Sequence, residues 1–91
     1  MSCASVPDEP FHGSLRISGT VTHDGAPVRG YVRLLDHRGE FVAEVPTNKQ
    51  GAFTFFTAPG EWTLRLLSSG PTFELPVLLV DRDTPHFDIA L

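Results

Sequence analysis

Residues 51–67 read GAFTFFTAPGEWTLRLL, and this stretch decides the fold. Phe53 and Phe55 alternate with Thr54, Ala58-Pro59-Gly60 interrupts the run, and Trp62, Leu64 and Leu66 then alternate with Thr63 and Arg65. Successive side chains of an extended chain point to opposite sides, so period-two alternation marks a strand with one buried face. Two such runs around a Pro-Gly stop predict a half-buried β-hairpin carrying five large side chains on one face. Each contributes roughly 1.5–3 kcal/mol when fully buried, so the hairpin is expected to anchor the core.

Working upstream, Leu15 to Thr22 alternates as a first strand, with Leu15, Ile17, Gly19 and Val21 on one face and Arg16, Ser18, Thr20 and Thr22 on the other. His23-Asp24-Gly25 signals a turn, and Pro27 keeps the following residues extended. Gly30 to Asp36 forms a second strand with Val32 and Leu34 inward and Tyr31, Arg33 and Leu35 outward. Asp36-His37-Arg38-Gly39 is a tight connection with a glycine available for a positive φ. Phe41, Ala43 and Val45 then alternate inward up to Pro46, and Asn48-Lys49-Gln50-Gly51 leads into the central stretch.

Downstream, Phe73 to Val80 is an apolar run in which Pro76 indicates an edge or a bulge. Asp81 to Pro85 turns the chain, and Phe87, Ile89 and Leu91 close it as a short last strand. Seven strands between Gly, Pro and Asp turns, with no helical periodicity, predict an all-β, seven-stranded antiparallel β-sandwich over residues 15–91. Residues 1–14 hold two prolines and small polar residues without periodicity, and read as a flexible N-terminal arm.

The bulk properties agree with one small domain. A chain of 91 residues supports a single well-filled core. Its net charge of −4, and six Arg and one Lys spread without a cluster, exclude the basic stripe of a nucleic-acid binder. No run approaches the ~18 apolar residues of a membrane span. The N-terminal residues lack the basic-then-apolar pattern of a secretory signal, so the expected compartment is the cytoplasm. A single cysteine, Cys3, rules out an internal disulfide framework.

Gly19, Val21, Gly25, Pro27, Val28, Gly30, Val32 and Leu34, followed by Gly51, Phe53, Phe55, Pro59, Gly60, Trp62 and Leu64, form a further pattern. It resembles the carboxypeptidase-regulatory-like or transthyretin-like β-sandwich, which implies a prealbumin-like Greek key. The segments YVRLLD and GEFVAEV, with an early cysteine on a short arm, look like a small bacterial family of uncharacterised domains encoded beside thiosulfate sulfurtransferases. That resemblance implies a partner of this kind and a link to sulfur metabolism. The hydroxyisourate hydrolases share the fold but close on Tyr-Arg-Gly-Ser, whereas this chain ends Asp88-Ile89-Ala90-Leu91.

No constellation of catalytic residues stands out. There is no nucleophile elbow, no phosphate-cradling glycine loop and no zinc spacing among His12, His23, His37 and His86. Asp81, Asp83 and Asp88 with His86 read as an acidic turn, because the segment lacks the glycine of a calcium loop. Glu40 and Glu44 read as solubilising charges. No enzyme activity, cofactor or metal is therefore expected. Cys3 is the one strong nucleophile: on an accessible arm it could carry a persulfide between enzymes, although no basic neighbour activates it. The outward residues Tyr31, Leu35, Val42, Phe56 and Leu67, interleaved with Arg33 and Arg65, suit a protein–protein contact, where aromatics and Arg are enriched.

These observations predict a non-catalytic protein-interaction domain. Its contact residues are Tyr31, Arg33, Leu35, Phe56 and Arg65, and its partner is a thiosulfate sulfurtransferase or a second copy. A sulfur relay through Cys3 is the alternative. A carbohydrate-binding sandwich that stacks sugar on Tyr31 and Phe56 is another, against which an intracellular address weighs.

Overall fold

The computed structural model describes residues 15–70, 72–82 and 84–91. Eight strands follow one another: β1 (Leu15–His23), β2 (Ala26–Pro27), β3 (Tyr31–Leu35), β4 (Phe41–Pro46), β5 (Ala52–Thr57), β6 (Gly60–Leu67), β7 (Phe73–Leu79) and β8 (His86–Ala90). The eighth is the two-residue β2, which pairs with the end of β1 through Thr22–Pro27 and His23–Ala26. One sheet runs β4-β3-β6-β7. The other is built on β1, which pairs antiparallel with β2 and β5 and parallel with β8. The β1–β8 pair is parallel, whereas the sequence predicts antiparallel pairing. β3 lies beside β6 although β4 and β5 intervene, a Greek-key arrangement.

The central stretch is not a hairpin. β5 pairs with β1 in one sheet, whereas β6 pairs with β3 and β7 in the other. Ala58 and Pro59 carry the chain across, and the three peptide steps from Thr57 to Gly60 can reach about 10 Å, the spacing of packed sheets. The Trp62 indole N–H donates to the Ala58 carbonyl at 2.9 Å and latches the crossing. Alternation on both sides of a Pro-Gly stop is the same for a hairpin and for such an arch. Only the pairing partners separate them.

Phe53 and Phe55, their ring centroids 6.2 Å apart, therefore belong to the sheet opposite that of Leu64 and Leu66. All four are buried, together with Leu15, Ile17, Val21, Val28, Val32, Leu34, Val77 and Leu79. Trp62, expected fully inside, is half-buried and packs against this core. Phe41, also expected inside, is exposed. The pairing of β3 with β4 shifts between Leu34 and Leu35, so Ala43 stands opposite Leu34 and Phe41 opposite Leu35. A bulge of this kind inserts one residue and resets the facing of those beyond it.

Gly19 occupies the inward row of β1 between Ile17 and Val21. It pairs with Phe53 on one side and Phe87 on the other. A Cβ built there would lie 2.8 Å from the Phe53 ring and 2.7 Å from the Phe87 carbonyl oxygen. The glycine thus lets an aromatic ring and a parallel strand close over the same point.

Gly19→Ala is expected to cost about 1–3 kcal/mol as an overpacked core site. Phe56→Ala, on the solvent side of the adjacent strand, should change stability by no more than about 0.5 kcal/mol. Urea unfolding of both variants checks this, and equal losses would contradict the facing of β5.

Candidate functional site

The two outer faces of the sandwich differ in chemistry. On the β1 sheet the outward side chains Ser18, Thr20, His86 and Asp88 are polar, and Phe56, which is 63% exposed, stands opposite the exposed Arg16. Ser18 Oγ bonds His86 Nδ1 at 3.0 Å, while Asp88 Oδ1 accepts from Thr20 Oγ1 at 3.0 Å and lies 3.2 Å from His86 Nε2. One tautomer satisfies all three contacts: Nε2–H donates to Asp88, and Nδ1 accepts from Ser18. The order Ser–His–Asp is that of a nucleophile relay, but the side chains of His86 and Asp88 are 52% and 84% exposed. Such a relay draws its strength from exclusion of water, so these bonds serve to fasten β8 to β1.

The outer face of β4-β3-β6-β7 carries larger groups. Arg33 stands opposite Glu44 on one side and Arg65 on the other, and Arg65 stands opposite Glu74. A row Glu44–Arg33–Arg65–Glu74 thus crosses all four strands. Like charges opposite one another destabilise a sheet, and here each arginine is drawn to its outer neighbour. Arg33 Nε and Nη2 both donate to Glu44 Oε1, at 3.1 and 2.9 Å, and Arg65 donates to Glu74 Oε2 at 2.6 Å. Pairs this exposed contribute at most about 1 kcal/mol each. Their consequence is a row with no net charge.

Apolar side chains flank the row. Tyr31 and Phe41 are exposed, and the Arg33 guanidinium carbon lies 5.2 Å from the centre of the Phe41 ring. Leu78 is 68% exposed and pairs with Glu61. Beside them is an open hollow of about 390 Å³, whose lining includes Glu61, Thr63, Pro76 and Leu78, with His37 contributed from the β3–β4 turn.

That turn is held by Asp36. Its Oδ1 accepts from the backbone N–H groups of Arg38 and Glu40, each at 2.9 Å, and Gly39 has a φ of 81°. The Glu40 N–H bond first, then the Arg38 N–H and the nearby Arg38 and His37 charges, hold the Asp36 carboxyl below its ordinary value of 3.8, against a smaller opposing effect of desolvation.

The expected contact residues separate as follows. Tyr31, Arg33 and Arg65 share this face, and Phe56 lies on the other sheet. Leu35 is corrected from outward and exposed to buried, at 4% exposure, with Phe41 and Thr63 as its cross-strand neighbours. Val42 is exposed and Leu67 half-buried. Because Tyr31 and Phe56 belong to different sheets, they form no joint platform for a sugar. Cys3 and the arm lie outside the described residues. Phe41, Leu78, Glu61 and His37 belong to this face in addition to the residues expected from the sequence. Alternation along β7 places Leu78 outward, whereas the facing of Phe41 depends on the bulge. Among the described residues no three His, Cys, Asp or Glu side chains gather at one point, and no helix is long and apolar enough to cross a membrane.

Comparison with known proteins places the molecule. Residues 7–90 match the model of the family described as protein of unknown function (DUF1416), and the chain belongs to that family. Over 55 residues it is 54% identical to the uncharacterized protein Rv0814c of Mycobacterium tuberculosis, spanning 58% of this chain and 55% of that one. An uncharacterized protein of Mycolicibacterium smegmatis is 53% identical over 55 residues, 58% of this chain and 61% of its own length. The chain thus aligns with little more than half the length of these curated relatives.

Among solved structures, the dioxygenase domain of a dioxygenase carbohydrate-binding protein fusion from Streptomyces superposes with a TM-score of 0.67 at 16% identity, covering 94% of this chain and 84% of that one. The 5-hydroxyisourate hydrolase of Klebsiella pneumoniae gives 0.59 at 25% identity, covering 82% and 84%. The fold is transthyretin-like.

The Asp36 bonds have a pH signature. A carboxyl held below 3.8 in the folded protein stabilises the fold fully above 3.8, and the contribution is lost as the pH falls through the lowered folded-state value. In an acid titration followed by NMR, the Arg38 and Glu40 amides are expected to shift together with a midpoint below 3.8, and Asp36→Ala should abolish that transition. A midpoint at or above 3.8 would contradict these bonds.

Proposed function

We propose that this member of the family is a non-catalytic protein-interaction module whose contact surface is the outer face of the β4-β3-β6-β7 sheet. The observation that carries the reading is the contrast between the two outer faces. One presents Tyr31, Phe41 and Leu78 around a charge-neutral row that includes Arg33 and Arg65, the composition favoured at the centre of interfaces. The other presents hydroxyls, a histidine and a carboxylate, with a single exposed aromatic, Phe56, opposite Arg16.

The breadth of a four-stranded face suits a folded partner. Paired arginines keep their guanidinium planes available for stacking while their charge is already balanced, so docking need not strand an uncompensated ion. The resemblance read from YVRLLD and GEFVAEV supplies a thiosulfate sulfurtransferase as the partner to test first, with self-association as the other outcome.

The test is a sizing column with light scattering, run on the chain alone and mixed with a thiosulfate sulfurtransferase. A mixed complex is expected. Tyr31→Ala and Phe41→Ala should each weaken it roughly tenfold, as for contact residues of 1–2 kcal/mol. Phe56→Ala and Cys3→Ser should leave it intact. Loss of the complex in Phe56→Ala, with Tyr31→Ala and Phe41→Ala unaffected, would move the contact to the opposite sheet. Sulfur added to the wild type and absent from Cys3→Ser, seen by intact-mass spectrometry, would favour the relay instead.

A further inference from the structure

We infer that the hollow beside the charged row is a receptor for an arginine side chain of the partner, an inference that rests on the contact-face reading above. Five charged residues lie on the four strands of this face, and four of them form the Glu44–Arg33 and Arg65–Glu74 pairs. The fifth, Glu61, is exposed, and its carboxylate has no ion pair or hydrogen bond among the described residues. It lines the hollow, next to the apolar side chains of Leu78 and Pro76.

A carboxylate at the edge of an apolar trough matches a side chain with a methylene stem and a cationic head. The stem lies along Pro76 and Leu78, and the head meets Glu61. A guanidinium can meet a carboxylate with two parallel N–H···O bonds, and its plane can stack on the His37 imidazole at the hollow's other border. The volume of about 390 Å³ falls at the small end of the range for ligand sites and is enough for one long side chain with its water. A net charge of −4 favours the approach of a cationic segment.

Charge pairing also bears on the choice of partner. The matching face of a second copy has Arg33 and Arg65 already engaged, so it could donate a guanidinium only by leaving Glu44 or Glu74 without its partner. A different protein that presents an unpaired arginine at its docking face breaks no such pair. Face-to-face docking of a second copy through this row is therefore disfavoured, its other arginines, Arg16, Arg29, Arg38 and Arg82, lying off the four strands of the face, and the occupant is an arginine of a different protein.

The experiment is an NMR titration of the full chain with N-acetyl-arginine amide, beside N-acetyl-citrulline amide, which has nearly the same shape without the charge. The expected result is saturable shifts at the amides of His37, Glu61, Thr63 and Leu78 and at the indole of Trp62. Binding should be roughly tenfold weaker for the citrulline amide and for Glu61→Gln, the loss of one charge-assisted contact. It should also weaken as salt is added. Shifts of equal size with both probes, shifts unchanged in Glu61→Gln, or no shifts at these positions would overturn the inference. The spectrum of Glu61→Gln itself reports that the variant is folded. A sulfurtransferase complex that needs Tyr31 and Phe41 but tolerates Glu61→Gln would leave the contact face standing while overturning the arginine receptor.

Discussion

Between Thr57 and Gly60 the chain leaves one sheet and enters the other, and the inward residues on both sides depend on that crossing. It sets Phe53 and Phe55 in the layer opposite Leu64 and Leu66, so that two sequence-adjacent apolar rows make a core by meeting rather than by lying side by side. A two-stranded hairpin buries one face against whatever else the chain provides. An arch supplies both walls at once, which suits a chain too short for a second core. The Trp62 indole holds the crossing by bonding Ala58, and this explains why a tryptophan stands at the mouth of the sandwich with its ring half-buried instead of at the centre.

The turns at the two ends of β4 share one device. Asp36 accepts from the N–H groups two and four residues on, Asn48 does the same, and Gly39 and Gly51 close the turns with φ values of 81° and 78°. The first turn joins neighbours in one sheet, and the second sends the chain to the other. A side chain that occupies the turn's own donors fixes its shape without help from the core. The direction in which the chain leaves is decided by where the next apolar row can be buried, not by the turn.

Much of the architecture is legible in residue order, for reasons particular to its elements. Alternation in Leu15–Val21, Val32–Leu34 and Leu64–Leu66 gives the correct inward rows, since one buried face forces period two. Facing fails at Phe41, where a bulge adds a residue that no pattern in Phe41–Val45 announces. Pairing fails at Gly51–Leu67, because a sheet partner is a long-range choice and the turn is a local one. For the candidate surface, Tyr31, Arg33 and Arg65 are legible as outward residues of strands that prove adjacent. Phe56 is equally outward and equally legible, yet parity along a strand says nothing about which sheet the strand joins. Leu35 is outward by parity and buried by its neighbours Phe41 and Thr63.

The bulge ties fold to surface. Had β4 kept its register, Val42 would oppose Leu35 and Phe41 would turn toward the core. Instead Phe41 emerges beside Arg33, within 5.2 Å of its guanidinium carbon. An arginine bound to Glu44 and set beside an aromatic ring loses much of its freedom before any partner arrives. Ordering long side chains is one of the larger costs of association, so a row ordered by its own pairs lowers that cost without adding net charge. Glu61 lies outside the row and makes no such pair among the described residues. The face therefore combines a preorganised neutral stripe with one unmatched anion. In the proposed contact, the stripe would favour docking of a broad surface, and the unmatched anion would give that docking a preferred sign and place.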